Sequence, residues 1–432
     1  MRFRDLAHFT YWKKETVLRR THAHVGLALL FIGTFCATSP AKTWVVGQPS
    51  TPCPGAHYST ITDAVNAAAP GDVIAICPAL YTEQLVITKP LTLRGLTVNG
   101  VGRVLLQPAL VANFGGLPFE AVIAVVNTNG VTIENLAVDA SNNTVSGCAP
   151  NLAAIYYHDA SGTVDHNAIS GAQLANPLSC GGGPPGGNGF GVQVDADQSG
   201  SFSVTVEHNS IHDYTKDGVH ALGSGVTARI EENTISGVGP SVGELQFAVF
   251  VLNGAVGLIK GNVITEGLCG ALSYSDCYNL RSEGVTLRAA GDGTVVSDNV
   301  ITDAQAGIFI NGGNRFRVTG NTIRNIDAAS GIDIQGSATG SFTNSVISEN
   351  TISNVGPFNV GFTTNEEGCG IDEYTGTGVS GNFLMHNRVN DSYCGVAYVT
   401  ADRVVSGTYH NTLYNELNSD LYPNAYPPIT EP

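Results

Sequence analysis

The chain has 432 residues, 43% of them hydrophobic and 13% charged, with 52 glycines and a mean hydropathy of +0.08. That is enough apolar material for a large core, and it excludes a disordered chain. With 20 Lys+Arg against 36 Asp+Glu the formal charge is −16, which excludes nucleic acid as a partner, because phosphate binding needs a cationic surface.

Residues 1–41 read as a secretory signal peptide. A basic stretch ends at Arg19 and Arg20, an apolar run follows from Val25 to Phe35, and small residues lead to Ser39, Pro40 and Ala41. The run is too short to span a bilayer, so no membrane span is expected in the mature protein. This segment holds six cations (Arg2, Arg4, Lys13, Lys14, Arg19, Arg20) and two anions (Asp5, Glu15). The remainder therefore carries 14 Lys+Arg against 34 Asp+Glu, a formal charge of −20.

Beyond Cys36, eight cysteines remain: Cys53, Cys77, Cys148, Cys180, Cys269, Cys277, Cys369 and Cys394. An even count in an exported chain points to four disulfides, and no Cys-x-x-Cys spacing competes for a metal. Nearest-neighbour pairing is the simplest arrangement among the 105 possible.

The next element is a short helix over residues 60–69, capped by Ser59 or Thr60. Ile61, Ala64, Val65 and Ala68 share one face, and Pro70-Gly71 ends it. Its expected place is over the open end of the stack that follows.

From there the chain is a repeat. Apolar-x-x-Asn-x-apolar recurs at Asn135, Asn167, Asn209, Asn233, Asn262, Asn299, Asn321 and Asn350, and more loosely at Asn387 and Asn411; the nine intervals run from 22 to 42 residues. Such spacing suits stacked coils with loop insertions. Within each interval a Gly-Val or Gly-Ile pair opens a stretch of strict alternation, as in GVQVDAD, GVHALG and GIFINGG, which reads as a short strand. The repeated Asn suits a left-handed turn and an internal amide ladder; ten identical residues favour structure over ligand contact.

Residues 58–95, with the Ala-Val-x-x-Ala helix, Pro70-Gly71-Asp72, Tyr81-x-Glu83 and Lys89-Pro90-Leu91-Thr92-Leu93, resemble the opening of pectin-lyase-like β-helix proteins. That superfamily includes pectinesterases, pectate lyases and NosD-like repeat proteins. With the repeats, the resemblance covers about residues 55–415. It implies an all-β, single-stranded right-handed parallel β-helix of about ten coils, residues 42–418, with a short N-terminal capping helix. Ala79 departs from the glycine often found after proline in this family. The paired aspartates of pectinesterases, the N-T-D, D-D, G-H-G and R-I-K set of polygalacturonases and the R-x-P-x-x-R signature of pectate lyases are all missing, so the resemblance transfers no catalytic residue.

Alternation gives the outward side chains directly. Counting each Gly as zero, position two reads Tyr156, Gln193, His220, Phe250, Thr286, Phe309, Asp333, Asp372 and Ala397 in successive coils. Position four reads His158, Asp195, Leu222, Leu252, Arg288, Asn311, Gln335, Tyr374 and Val399. Aromatic and hydrogen-bonding residues of this kind suit a sugar polymer; Tyr156, His158, Gln193, Arg288, Phe309, Asn311, Gln335 and Tyr374 are the candidate substrate contacts. The insertions at 141–153, 171–189, 267–283 and 355–369 all precede a Gly-Val/Ile strand and are expected to wall one edge of this face.

Two sets are candidates for chemistry. Asp333 and Asp372 stack across adjacent coils, as an acid and base pair or a Ca²⁺ site. Asp195 and His220, near Asp217 and Glu283, are candidates for base and orienter. No cofactor is required beyond possible Ca²⁺, and the RTX-type calcium repeat is absent. The negative charge favours a neutral polysaccharide over a polyanion. The reading is a secreted carbohydrate-binding or carbohydrate-active protein, hydrolase or lyase; the alternative is a non-catalytic structural or adhesive surface protein. The Pro-rich residues 419–432 lack alternation and form a tail. Finally, Cys369 and Cys394 directly precede equivalent glycines, so the coil spacing brings them within disulfide range. The simplest remaining pairs are Cys53–Cys77, Cys148–Cys180 and Cys269–Cys277.

Overall fold

A computed structural model describes residues 40–49, 53–97, 103–110, 116, 119–143, 145, 150–174, 189–238, 245–268, 282–336, 341–356, 368–374, 379–392, 394–398, 407–409 and 412–414. The proposed signal peptide up to residue 39, the Pro-rich tail, Asn411, Val399 and Cys148, Cys180, Cys269 and Cys277 lie outside them.

The short alternating runs form parallel strands because each buries one row of aliphatic side chains and pairs with the equivalent run one coil away. Among the described residues the strands make three long parallel sheets of 13, 12 and 11 strands and a small one of three. One coil passes through the long sheets in turn, for example Ser161–Asp165, then Ala168–Ser170, then Gly189–Asp195, before Phe202–Glu207 begins the next. The result is a right-handed parallel β-helix, the hand that parallel crossovers take. Thirteen strands exceed the ten Asn marks because Thr43–Val46, Val73–Ile76 and Thr92–Gly95 open the 13-stranded sheet with no Asn after them.

Inside, like stacks on like. Ile211, Ile235, Ile264, Ile301, Ile323 and Ile352 are register partners along the 12-stranded sheet, and all are fully buried. Burying each such side chain contributes about 1.5–3 kcal/mol, which makes the column a principal source of stability.

The turn between the 13- and 12-stranded sheets explains the repeated Asn. Each side chain points inward, and its Nδ2 donates to the Oδ1 of the Asn one coil on: Asn167 to Asn209 at 3.0 Å, Asn262 to Asn299 at 2.9 Å, Asn350 to Asn387 at 2.9 Å. Backbone amides donate to the same oxygens, as Asn233 N does to Asn262 at 2.9 Å. The residue before each Asn takes the positive φ, as at His166, His208 and Glu232. Asn135 is the exception. It occupies that preceding position with φ 56°, while Leu136 stands in the ladder row and its N–H donates to Asn167 Oδ1 at 3.0 Å. The ladder thus starts at Asn167, one coil later than the repeat suggested.

The N-terminal residues behind the family resemblance are structural. The helix is Ile61–Ala67, its N-cap is Thr60, and Ile61, Ala64 and Val65 join the core beside Val46, Ile74 and Leu85. Glu83 accepts from the Ile61 and Thr62 amides, at 2.9 Å each, where the helix leaves them without partners. At the other end Lys89 Nζ donates to Ala68 O at 2.6 Å. Asp72 accepts from Lys42 N, Trp44 Nε1 and Ala69 N, tying the first strand to the cap. Cys53 and Cys77 form a disulfide here with Cα atoms 6.1 Å apart. At the far end Cys369 is disulfide-bonded, and Cys394 is its register partner on the next strand.

Candidate functional site

The 11-stranded sheet holds both outward rows in the register read from the sequence. Tyr156, Gln193, His220, Phe250, Thr286, Phe309, Asp333, Asp372 and Ala397 are successive partners. So are His158, Asp195, Leu222, Leu252, Arg288, Asn311, Gln335 and Tyr374.

A third outward row was missed. Phe190, Asp217, Phe247 and Glu283, each directly before its Gly or Ala, are also partners across this face. Strict alternation would turn them inward. The chain bends at the glycine instead, where a Cβ on Gly191 would stand 2.6 Å from Ile211 Cγ2 and from Gly218 O. Glycine before a β-branched residue was the available signal.

These rows make one aromatic stack. Phe119 and Tyr156 lie parallel at 4.2 Å, Phe190 meets His220 at 4.8 Å, and His220 meets Phe250 edge-on at 5.3 Å. The Arg288 guanidinium lies 5.7 Å from the Phe250 and Phe309 ring centres. Phe119, Tyr156 and Phe190 form an apolar cluster separate from the solenoid core.

The stack is less open than a solvated ladder. Position two is buried from Tyr156 to Asp372, between 0% exposure at Thr286 and 9% at His220, with Asp333 and Asp372 at 6%. Position four is the accessible row, with His158, Leu222, Leu252, Arg288, Asn311 and Gln335 half-buried. The four insertions lie largely outside the described residues; each falls between a strand of the 12-stranded sheet and one of the 11-stranded sheet.

Two histidine–carboxylate pairs form, and their partners differ from the expected ones. Asp195 pairs with His158, Oδ1 to Nδ1 at 2.6 Å, and accepts from the Tyr156 hydroxyl at 3.1 and 3.2 Å and from Gln193 Nε2 at 3.2 Å. His158 Nε2 also lies 3.5 Å from Asp159. Burial and then the Asp195 charge push the Tyr156 hydroxyl far above its usual range, so it remains a proton donor. His220 pairs through Nδ1 with Asp217, three residues earlier on its own strand, rather than with Asp195. The other Asp217 oxygen is buried without a hydrogen-bond partner. The bend at Gly218 creates this pair by bringing positions minus one and two together.

Farther along, Asp333 and Asp372 are direct register partners, about 4.8 Å apart by strand spacing. Gln335 Nε2 stands 3.4 Å from both Asp333 oxygens. Between the two pairs, Thr286 donates to Glu283. The arrangement places carboxylates and imidazoles beside aromatic ring faces. Among the described residues no helix is long and apolar enough to cross a membrane.

A family model described as the right-handed beta helix region matches residues 186–416, more than half of the chain. No curated protein matches in sequence. Among solved structures, the lacto-N-biosidase of family GH136 from Eubacterium ramulus is similar at TM-score 0.50 and 10% identity, over 87% of this chain and 68% of that one. The A-module of mannuronan C-5 epimerase AlgE6 from Azotobacter vinelandii aligns at 0.49 and 13%, over 81% and 92%. The Dettilon tailspike protein aligns at 0.48 and 13% over 80% of this chain, which spans 62% of that structure. At 10% identity the likeness to the lacto-N-biosidase shows the fold alone.

Proposed function

The chain belongs to the right-handed β-helix family, and from that premise we propose that the outward face of its 11-stranded sheet binds and cleaves an extracellular polysaccharide. One observation carries the reading: the in-register rows of different aromatic, acidic and amide residues, with the position-four row accessible above a packed aromatic floor. A structural surface needs no such variety, whereas successive sugar units each need a ring contact and hydrogen-bond partners.

In this reading the polymer is neutral, because a chain at −20 repels a polyanion and Arg288 is the cation of the two sequence-read rows. Asp333 and Asp372 act on the glycosidic bond, their spacing being near the roughly 5–5.5 Å of retaining glycosidases. The Tyr156–Asp195–His158 and Asp217–His220 groups hold sugar hydroxyls upstream. The signal-peptide reading of residues 1–41 and the Cys53–Cys77 disulfide support an exported protein.

A polysaccharide array with a reducing-sugar assay alongside tests this. The expected result is binding of a neutral glycan and release of reducing ends, with release lost and binding kept in Asp372→Asn. No binding or turnover on any glycan overturns it. Binding abolished by a chelator would make the aspartate pair a calcium site. The burial of position two favours a second reading, a non-catalytic adhesive surface, for which binding without release is the signature.

A further inference from the structure

Away from that face, two turns on the outer corner between the 13- and 12-stranded sheets carry related sequences, Asp165-His166-Asn167 and Glu207-His208-Asn209. Asp165 and Glu207 are register partners, so His166 and His208 hold equivalent turn positions in adjacent coils, with φ 55° and 54°. The asparagines turn inward to the ladder while the histidines turn out. The fold therefore fixes two imidazoles one coil apart, their rings stacked at 4.6 Å and 24°.

Both rings aim the same nitrogen at one atom. Asp165 Oδ1 lies 2.6 Å from His166 Nδ1 and 3.1 Å from His208 Nδ1. The three ligand atoms fall within 4.8 Å of one another. An ion with bonds of about 2.0–2.1 Å in tetrahedral geometry needs edges of about 3.3 Å, so slight side-chain rotation makes room for it. On its far side, His208 Nε2 lies 3.1 Å from Glu232 Oε2, in the next coil. A carboxylate on the second nitrogen of an imidazole is the support that metal-bound histidines use to fix tautomer and orientation.

We propose that Asp165, His166 and His208 bind one divalent transition ion of the zinc class, with Glu232 orienting His208. Two imidazole nitrogens and one carboxylate oxygen suit Zn²⁺, Ni²⁺ or Cu²⁺ and are poor ligands for Ca²⁺ or Mg²⁺, which take oxygen. The ligands come from consecutive coils, so the ion clamps them together from outside, as the Asn ladder does within. The site is partly exposed, with side chains from 25% for Asp165 to 57% for His166, leaving the remaining coordination positions to water. It is independent of the carbohydrate reading, because it lies on a different face.

Untagged protein, stripped with a chelator, is titrated with Zn²⁺ in competition with a chromophoric chelator. The expected result is one tight equivalent, weakened at least tenfold in His208→Ala, His208→Gln and Asp165→Asn. His212→Ala should retain the site, since its partner is Asp213 at 2.7 Å and outside the cluster. Zn²⁺ should raise the unfolding midpoint of the wild-type protein and of His212→Ala, and not of the three cluster variants, whose far-ultraviolet circular dichroism reports an intact fold. Absence of zinc binding, binding unchanged in the cluster variants, equal loss in His212→Ala, or displacement of zinc by equimolar Ca²⁺ would each overturn the proposal.

Discussion

Two sets of stacked side chains run along this solenoid at the same strand spacing, and they differ in one respect. The ladder from Asn167 to Asn387 repeats a single residue, buried and donating amide to amide. The outward rows of the 11-stranded sheet change residue at almost every coil. Stacking makes a repeated amide cooperative, because each one's donor is the next one's partner. The same stacking puts unlike groups side by side at about 4.8 Å, which is the raw material of a site. Sequence variety at a structurally equivalent position is thus the mark of function in such a fold.

The sharpest break falls in the ladder. Asn262 accepts from Asn233 N and Nδ2, and donates to Ile230 O and to Asn299. Asn262→Ala leaves at least two buried donors unpaired at about 1–3 kcal/mol each, so a loss of about 4 kcal/mol is expected in chemical denaturation. Loss below about 1 kcal/mol would show that water replaces the amide and that the ladder is dispensable.

On the variable face the effect should appear in binding. Asp333→Ala and Asp372→Ala are each expected to weaken one and the same glycan about 30-fold, close to 2 kcal/mol. The double variant should lose less than the product, because the two are register neighbours. Additive effects on two different ligands would sink the shared site. His158→Ala comes next, with about a tenfold loss and an unfolding midpoint within a few degrees of the wild type, since the ring is half-buried at the accessible row. A large drop in the midpoint with unchanged binding would make the Tyr156–Asp195–His158 group a structural network.

Much of this was legible in the sequence because a solenoid converts sequence period into spatial neighbourhood. Gly-Val and Gly-Ile pairs placed both outward rows in register, and Cys369 before Gly370 found Cys394. Local bending is one thing a period cannot encode. The bend at Gly218 turned Asp217 outward and gave His220 its partner. Asn135 is a matter of alignment instead: Glu134 and Ala137 are register partners of Asp165 and Ala168, so Leu136 is the equivalent of Asn167 and takes the ladder position. Burial of position two was also hidden, because alternation reports direction and says nothing of what lies above the face. The histidine pair was visible in VDHNAI and VEHNSI, but attention to the asparagines passed over the residue before them.

The smallest effect concerns Glu266, which belongs to neither set. It follows Val263–Thr265 at the corner between the 12- and 11-stranded sheets, is fully buried, and accepts from the Tyr214 hydroxyl. Its Oε2 and Gln246 Oε1 crowd Gly237, 2.6 and 2.3 Å from where a Cβ would stand, and neither has a hydrogen-bond partner. Burial pushes the carboxyl well above its usual range, the Tyr214 bond opposes that, and the Asp217 charge adds to it. The folded protein therefore keeps the proton over a range of pH in which the unfolded chain releases it. The group's contribution is fully present below about pH 4 and is lost as pH rises toward the folded value, at about 1.4 kcal/mol per unit where only the unfolded chain is ionised. Glu266→Gln keeps an acceptor for Tyr214, brings an amide donor to Gln246 Oε1 and abolishes the titration. It should match the wild type near pH 4 and exceed it by at least about 1 kcal/mol at pH 7, read from urea denaturation at both. A variant less stable than the wild type at pH 7 would mean that Glu266 is ionised in the folded protein, its charge compensated within the Tyr214 corner.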